Sequence, residues 1–235
     1  MLVALLFGAG CLPAWAGAFA VSPVRLYLSE RDRAIAVTIT NESARPVVLQ
    51  ADYYRWTQQP DGTDVLTDSE DLVLSPPVLH LAPFARQVVR LGRLRAPDPR
   101  RQSTYRVVIR EVPEALGAAS SPTLQLALAF SLPVFITPAG AQRELGCAAA
   151  SGTASAHPEV ECANTGGAYA QVRGFKLLRG DALLATSEEA AYVLPGARRR
   201  FVLKPAAATL EPGAAQLQVS FDDGVVQTFA VAIGG

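Results

Sequence analysis

The segment from Thr123 to Pro138 restricts the possible folds of this chain more than any other. It reads TLQLALAFSLPVFITP, and every second residue is a large apolar one: Leu124, Leu126, Leu128, Phe130 and Leu132. Alternation with a period of two residues is typical of a half-buried β-strand. A strand of about 13 residues is twice the usual length, so part of it is expected to extend beyond its own sheet.

Two interpretations of this strand stay open. An exposed apolar strand edge promotes aggregation, and natural proteins keep such edges mainly where pairing with a second chain is their function. The segment is therefore either a strand that the protein lends to a partner or an ordinary strand in the middle of a sandwich. Both interpretations produce the same alternation.

Short β-rich runs separated by turn signals recur along the rest of the chain, whereas almost no window shows sustained helical periodicity. The runs are Val24–Leu28, Ala34–Thr40, Val47–Trp56, Gln87–Leu91 and Tyr105–Val112, then Val160–Cys162, Ala170–Leu178, Ala182–Leu184, Arg200–Leu203, Gln216–Phe221 and Val225–Ala232. Many short strands with turns between them indicate β-sandwiches. These runs predict an all-β chain. Because the pattern breaks near 138–140, we predict an N-terminal domain over 17–138 and a smaller β domain over 139–235.

Charge and motifs exclude several classes of function. The 21 basic side chains balance the 21 acidic ones, so there is no electrostatic reason to expect a nucleic acid or an anionic membrane as partner. The sequence lacks a phosphate loop, a dinucleotide fingerprint, a Gly-x-Ser-x-Gly elbow and a Cys-x-x-Cys pair. His80 and His157 lie far from any cluster with metal-ligand spacing. We therefore expect that the protein is not an enzyme and that it has no cofactor, no metal and no small-molecule substrate.

The N-terminus predicts export. Its first twenty residues form an apolar run that is too short to cross a membrane, followed by two Ala-x-Ala sites, Ala14-Trp15-Ala16 and Ala18-Phe19-Ala20. A secretory signal has this pattern. We predict cleavage after Ala16, which makes 1–16 the signal peptide.

Removal of that signal leaves one pair of cysteines, Cys147 and Cys162. An even pair in an exported chain is more often a disulfide than a metal site or a nucleophile. The spacing lets the two cysteines face each other across two antiparallel strands. Two buried free thiols are the alternative.

Several sequence blocks occur in a characteristic order along the mature chain. They are Val21–Leu26, Ser75–Pro77 followed by Leu81–Pro83, Gln87–Leu91, Tyr105–Pro113, Val134–Pro138 and Cys162–Gly166. Together they resemble the periplasmic chaperones that assemble pili with an outer-membrane usher, the PapD-like family. The Ser131–Phe135 sequence, SLPVF, is similar to that of a divergent, archaic branch of this family.

The resemblance implies a fold and a function. The fold is two immunoglobulin-like β-sandwich domains at an angle, with a subunit-binding cleft between them. The function is that of a periplasmic chaperone that stabilises pilin subunits by donor-strand complementation and delivers them to the usher. Its donor residues are then Leu124, Leu126, Leu128, Phe130 and Leu132. A structural pilus subunit or a surface adhesin with immunoglobulin-like domains is the alternative.

The resemblance also implies a pair of basic residues that hold the carboxyl terminus of the subunit. Arg25 stands at the position of the first, on the first strand. The second is usually a lysine near the end of the long strand, and Pro133 stands there instead. Either the chain belongs to a divergent branch or another arginine, with Arg90 or Arg86 expected, replaces the lysine.

Three further features follow from the resemblance. Glu111 is similar to an acidic residue facing the cleft, or is a solvated charge at a strand end. Asp222 or Asp223 is similar to an acidic residue that helps to fix the domain angle, or belongs to a plain hairpin turn. A turn of the family also predicts a cis peptide bond before Pro76.

Overall fold

The computed structural model describes residues 19–59, 61–113, 127–150, 158–207 and 210–234. Within these ranges the chain consists of strands, turns and irregular segments. No helix in this part of the chain is long and apolar enough to cross a membrane.

Strands β1 to β10 form the first domain. In chain order they are β1 (Phe19–Ser22), β2 (Leu26–Ser29), β3 (Ala34–Asn41), β4 (Val47–Gln58), β5 (Asp64–Thr67), β6 (Leu72–Ser75), β7 (Val78–Leu81), β8 (Arg86–Arg93), β9 (Ser103–Glu111) and β10 (Ala129–Thr137). One sheet has the order β1-β3-β8-β6, and the other has the order β2-β10-β9-β4-β5, with β7 paired to β4. Apolar side chains that alternate along the strands fill the space between the sheets, as in a sandwich.

Strands β11 to β19 form the second domain. They are β11 (Leu145–Ala149), β12 (Glu159–Asn164), β13 (Ala170–Arg179), β14 (Ala182–Ser187), β15 (Ala191–Val193), β16 (Arg198–Val202), β17 (Lys204–Pro205), β18 (Gly213–Phe221) and β19 (Val226–Ile233). Its sheets have the orders β11-β12-β16 and β17-β14-β13-β18-β19, and β15 pairs with β13. Val160, Leu177, Phe201 and Leu217, each at most 1% exposed, lie in the core between them.

The predicted all-β architecture is confirmed. Every β-rich run predicted from the sequence overlaps a strand. The last strand of the first domain ends at Thr137, and the first strand of the second domain begins at Leu145. The strands that the sequence did not predict are mostly short, such as β5, β6 and β15, because three or four residues show too little alternation to be recognised. The cis bond predicted between Ser75 and Pro76 is present, and the Ser22–Pro23 bond is cis as well.

Cys147 and Cys162 are joined by a disulfide, as the sequence predicted. They face each other directly in the antiparallel register of β11 and β12. Cys162 is fully buried in the second core, and Cys147 packs against that core from a partly exposed position.

Reduction is expected to raise the intact mass of the purified protein by two hydrogens and to lower its free energy of unfolding by roughly 3 kcal/mol. The loss of stability follows from the loop entropy of a ring of about 15 residues. Mass spectrometry and urea unfolding with and without reductant measure both effects. The double variant Cys147→Ser/Cys162→Ser should respond to reductant in neither measurement. Two free thiols in oxidised, denatured protein would contradict the prediction.

Candidate functional site

Part of strand β10 has an open edge. β10 pairs with β9 from Ala129 to Ile136, whereas its other neighbour, β2, pairs with it only from Val134 to Thr137. The preceding strand β1 lies in the other sheet, against β3. In the part of the chain that the structure describes, no strand therefore covers this edge between Ala129 and Pro133. An open edge of this kind can accept an additional strand.

The hydrogen-bond register shows which groups face the open edge. The N–H of Glu111 donates to the C=O of Leu128 at 2.9 Å. Because hydrogen-bonded and non-bonded pairs alternate in an antiparallel ladder, the even-numbered residues of β10 bond to β9. The N–H groups of Ala129 and Ser131 therefore point toward the open edge, and both residues are exposed.

Pro133 fits this register. It faces Arg106 at a non-hydrogen-bonded position, so the N–H that proline lacks would have pointed away from β9. The ladder consequently continues past Pro133 without the bulge that a proline often causes. Pairing with β2 starts at the next residue, Val134.

The predicted donor residues differ in their surroundings. Leu124 and Leu126 lie outside the described residues. Leu128 is 37% exposed and immediately precedes β10. Phe130 is partly buried and packs edge-on against the aromatic ring of β1, with 5.1 Å between the ring centroids. Leu132 is 3% exposed and fills the core of its own domain, so it is not available to a partner in this conformation.

An aromatic cluster joins the two domains. Phe135 stacks on Tyr169 with centroids 4.1 Å apart, and Trp56 meets Tyr192 edge-on at 5.2 Å. Phe135 and Trp56 lie on the outer face of their sheet, yet neither is exposed, because residues of the second domain cover them. The hydroxyls of Tyr27 and Tyr169 share a hydrogen bond of 2.9 Å. Burial raises the pKa of Tyr169 and of Tyr192, so both hydroxyls stay neutral at physiological pH.

Two glutamines bridge the domains through backbone groups. The Gln58 side-chain amide donates to the C=O of Tyr192 at 3.0 Å and accepts from the N–H of Leu194 at 2.9 Å. The Gln102 side chain accepts from the N–H of Tyr169 at 3.0 Å. These bonds satisfy buried polar groups at the junction and restrict the relative position of the domains.

Two arginines approach the aromatic cluster from the first domain. The guanidinium of Arg106 lies 3.7 Å from the centroid of the Trp56 ring, and its side chain is 15% exposed. Its nearest carboxylate, that of Asp64, is 3.8 Å away. Arg25 donates from Nη1 to Oδ2 of Asp222 at 2.7 Å, across the domain junction.

Both arginines keep their charge. Burial lowers the pKa of the Arg106 guanidinium, whereas the Tyr27 hydroxyl, with a contribution from Asp222, raises that of Arg25. A guanidinium titrates so far above neutrality that neither shift removes its proton. The junction therefore presents two fixed positive charges next to apolar rings.

The remaining predicted site residues lie elsewhere. Arg90 and Arg86 are exposed on β8, in the sheet on the other side of the core. Glu111 faces Leu49 at the end of β9 that is remote from the second domain. Arg106 is the cation that sequence reasoning missed, and its place opposite Pro133 follows from the pairing of β9 with β10.

The site has the features that binding of an extended polypeptide requires. It combines an unpaired strand edge, apolar side chains beside that edge and two arginines that suit a carboxylate. Among the residues that the structure describes, no three His, Cys, Asp or Glu side chains are grouped so as to hold a metal ion.

The fold is shared with solved structures of low sequence identity. One is the CsuC–CsuE chaperone–tip adhesion subunit complex of the archaic chaperone-usher Csu pili of Acinetobacter baumannii: TM-score 0.67, 16% identity, 92% of this chain and 98% of that chain covered. A second is the chaperone DraB of E. coli: TM-score 0.59, 18% identity, coverage 90% and 94%. A third is the Salmonella enterica SafA pilin in complex with the SafB chaperone: TM-score 0.61, 14% identity, coverage 94% and 98%.

A search of curated proteins found no match. The family model for the N-terminal domain of PapD, described as a pili and flagellar-assembly chaperone, matches residues 18–142. This match spans more than half of the chain and includes the whole open edge of β10. The chain therefore belongs to the PapD family of pili and flagellar-assembly chaperones.

Proposed function

We propose that this protein is a periplasmic chaperone that holds pilin subunits by donor-strand complementation and delivers them to an outer-membrane usher. The observation that carries the proposal is the open edge of β10 between Ala129 and Pro133. Family membership and the subunits bound in two of the related structures support it. The mature protein then starts at residue 17, with domains over 17–138 and 139–235.

The edge supplies backbone hydrogen bonds, and the alternating side chains supply specificity. A strand of the subunit would accept from the N–H groups of Ala129 and Ser131. Leu128, and from the sequence Leu124 and Leu126, would enter an apolar groove of the subunit. Each large apolar side chain buried in this way contributes roughly 1.5–3 kcal/mol. Because a slip by one residue would turn these side chains away from the groove, they also determine the register of the added strand.

Arg25 and Arg106 would hold the terminal carboxylate of the subunit. Arg106 would take the place expected for a lysine at position 133; its position on the neighbouring strand, directly opposite Pro133, supports this role. A guanidinium can bind a carboxylate with two parallel hydrogen bonds. A carboxylate bound at the junction would fix the end of the subunit and hence the position of its strand along β10.

Leu128→Asp is expected to abolish recovery of a subunit complex while the chaperone stays folded. A buried charge in the apolar groove costs at least about 2 kcal/mol, whereas Leu128 in the free protein is already 37% exposed. The measurement is affinity purification after co-expression with a pilin subunit from the same genome. Val88→Asp is the matched control, because Val88 is 41% exposed on the other sheet. Equal recovery with both variants would argue against strand donation.

A further inference from the structure

The carboxylate of Asp222 already occupies Arg25. Its Oδ2 atom accepts from Nη1 of Arg25 at 2.7 Å, and the two side chains are 15% and 28% exposed. Within the part of the chain that the structure describes, Asp222 is the one carboxylate that lies within 4 Å of Arg25. The contact joins a residue of the first domain to a turn between β18 and β19 in the second.

We propose that Asp222 is an internal competitor for Arg25, which a terminal carboxylate of a bound subunit must displace. The inference rests on the proposed function and adds a regulation of the same site. In the free protein the Arg25–Asp222 ion pair, which we call the latch, joins the two domains. In the complex the carboxylate of the subunit replaces Asp222 on the guanidinium.

Charge supports displacement over shared binding. Two carboxylates on one partly buried guanidinium lie close together, and like charges repel strongly where solvent screening is weak. Asp222 can leave without a rearrangement of the backbone, because it belongs to a surface turn in which Asp223 and Gly224 are exposed. Its backbone N–H stays bonded to the C=O of Gln171, so only the side chain has to move.

Displacement couples subunit binding to the domain junction. Each carboxylate on Arg25 excludes the other, so any change that strengthens the latch weakens subunit binding, by at most the same factor. The aromatic cluster and the bonds of Gln58 and Gln102 remain in both states. Release of the latch therefore loosens the junction without separating the domains.

The test compares Asp222→Asn with Asp223→Asn. Asp223 is a matched control because it lies in the same turn and its ion pair with Arg143 is also 2.7 Å, but both partners belong to the second domain. The probe is a short N-acetylated peptide of alternating valine and threonine, with either a free carboxylate or a C-terminal amide. Its affinity for the mature protein is measured by titration calorimetry, and folding of each variant is checked by circular dichroism.

Asp222→Asn is expected to bind the carboxylate peptide at least about fivefold more tightly than wild type. The amide peptide should bind both proteins equally, and Asp223→Asn should match wild type with both peptides. In the wild-type protein, the carboxylate peptide, but not the amide peptide, should shift the carboxyl ¹³C resonance of Asp222. This second measurement decides the question if the variant does not fold.

Three results would overturn the latch. They are equal or weaker binding of the carboxylate peptide by Asp222→Asn, no binding by either protein, or an unshifted Asp222 resonance while the peptide binds. Arg25→Ala separates this failure from failure of the proposed function. If that variant loses its preference for the carboxylate peptide, Arg25 still acts as the anchor and only the competition is wrong. Strand donation itself is tested independently by the Leu128→Asp variant.

Discussion

Phe135→Ala is expected to lower the free energy of unfolding by about 3–5 kcal/mol, the usual cost of removing a fully buried aromatic side chain. Phe135 is 0% exposed and contacts rings of both domains, with Tyr169 stacked at 4.1 Å and Tyr27 at 5.6 Å. The cavity would lie between the domains. Unfolding should therefore also lose cooperativity, because the domains would no longer stabilise each other.

Urea unfolding followed by fluorescence and circular dichroism measures this effect. Phe84→Asn is a suitable control, since Phe84 is 66% exposed and has a φ of 58°, a conformation that asparagine tolerates. The control should change stability by less than about 0.5 kcal/mol. A loss below about 1 kcal/mol for Phe135→Ala would show that the aromatic cluster contributes little to holding the domains together.

Ser131→Pro is expected to prevent subunit binding without unfolding the chaperone. The N–H of Ser131 points to the open edge, so proline at this position leaves the bonds to β9 intact and only blocks an added strand. Pro133 already shows that β10 accepts a proline at an odd-numbered position. An acceptor of the subunit left without its donor costs about 1–3 kcal/mol, and the ring would also obstruct the approach of the strand.

Two further variants give this prediction its controls. Ser131→Ala keeps the N–H and should bind a co-expressed pilin subunit as wild type does. Phe130→Pro removes an N–H that bonds to β9 and should lower the melting temperature of the free chaperone. A Ser131→Pro protein that is recovered with as much subunit as wild type would mean that the subunit does not pair with this edge.

The alternation of apolar residues predicted much of the fold. It identified β3, β4, β9 and β18 close to their observed bounds, since residues two apart on a strand share one face whatever surrounds the strand. The expectation of export, which leaves Cys147 and Cys162 as a pair, likewise predicted the disulfide. Both predictions depend on local pattern or on composition, which can be read from the sequence before the fold is known.

The same alternation could not show where β10 leaves its own core. Leu128 and Leu132 have the same parity, yet Leu128 is partly exposed and Leu132 is buried within the first domain. The difference depends on the opposite sheet: Leu132 packs into the core between the two sheets, whereas Leu128, just before β10, is not part of that core. Strand partners are distant in sequence, so periodicity carries no information about them.

The site depended still more on the tertiary structure. Arg25 was predicted from a resemblance, but its pairing with Asp222 and the approach of Arg106 to Trp56 require both domains in place. Phe135 has the parity of an outward-facing residue and is nevertheless fully buried, because the second domain covers that face. The sequence by itself determined the strands and their apolar faces, whereas the contacts between sheets and domains decided which of those faces remained open to a partner.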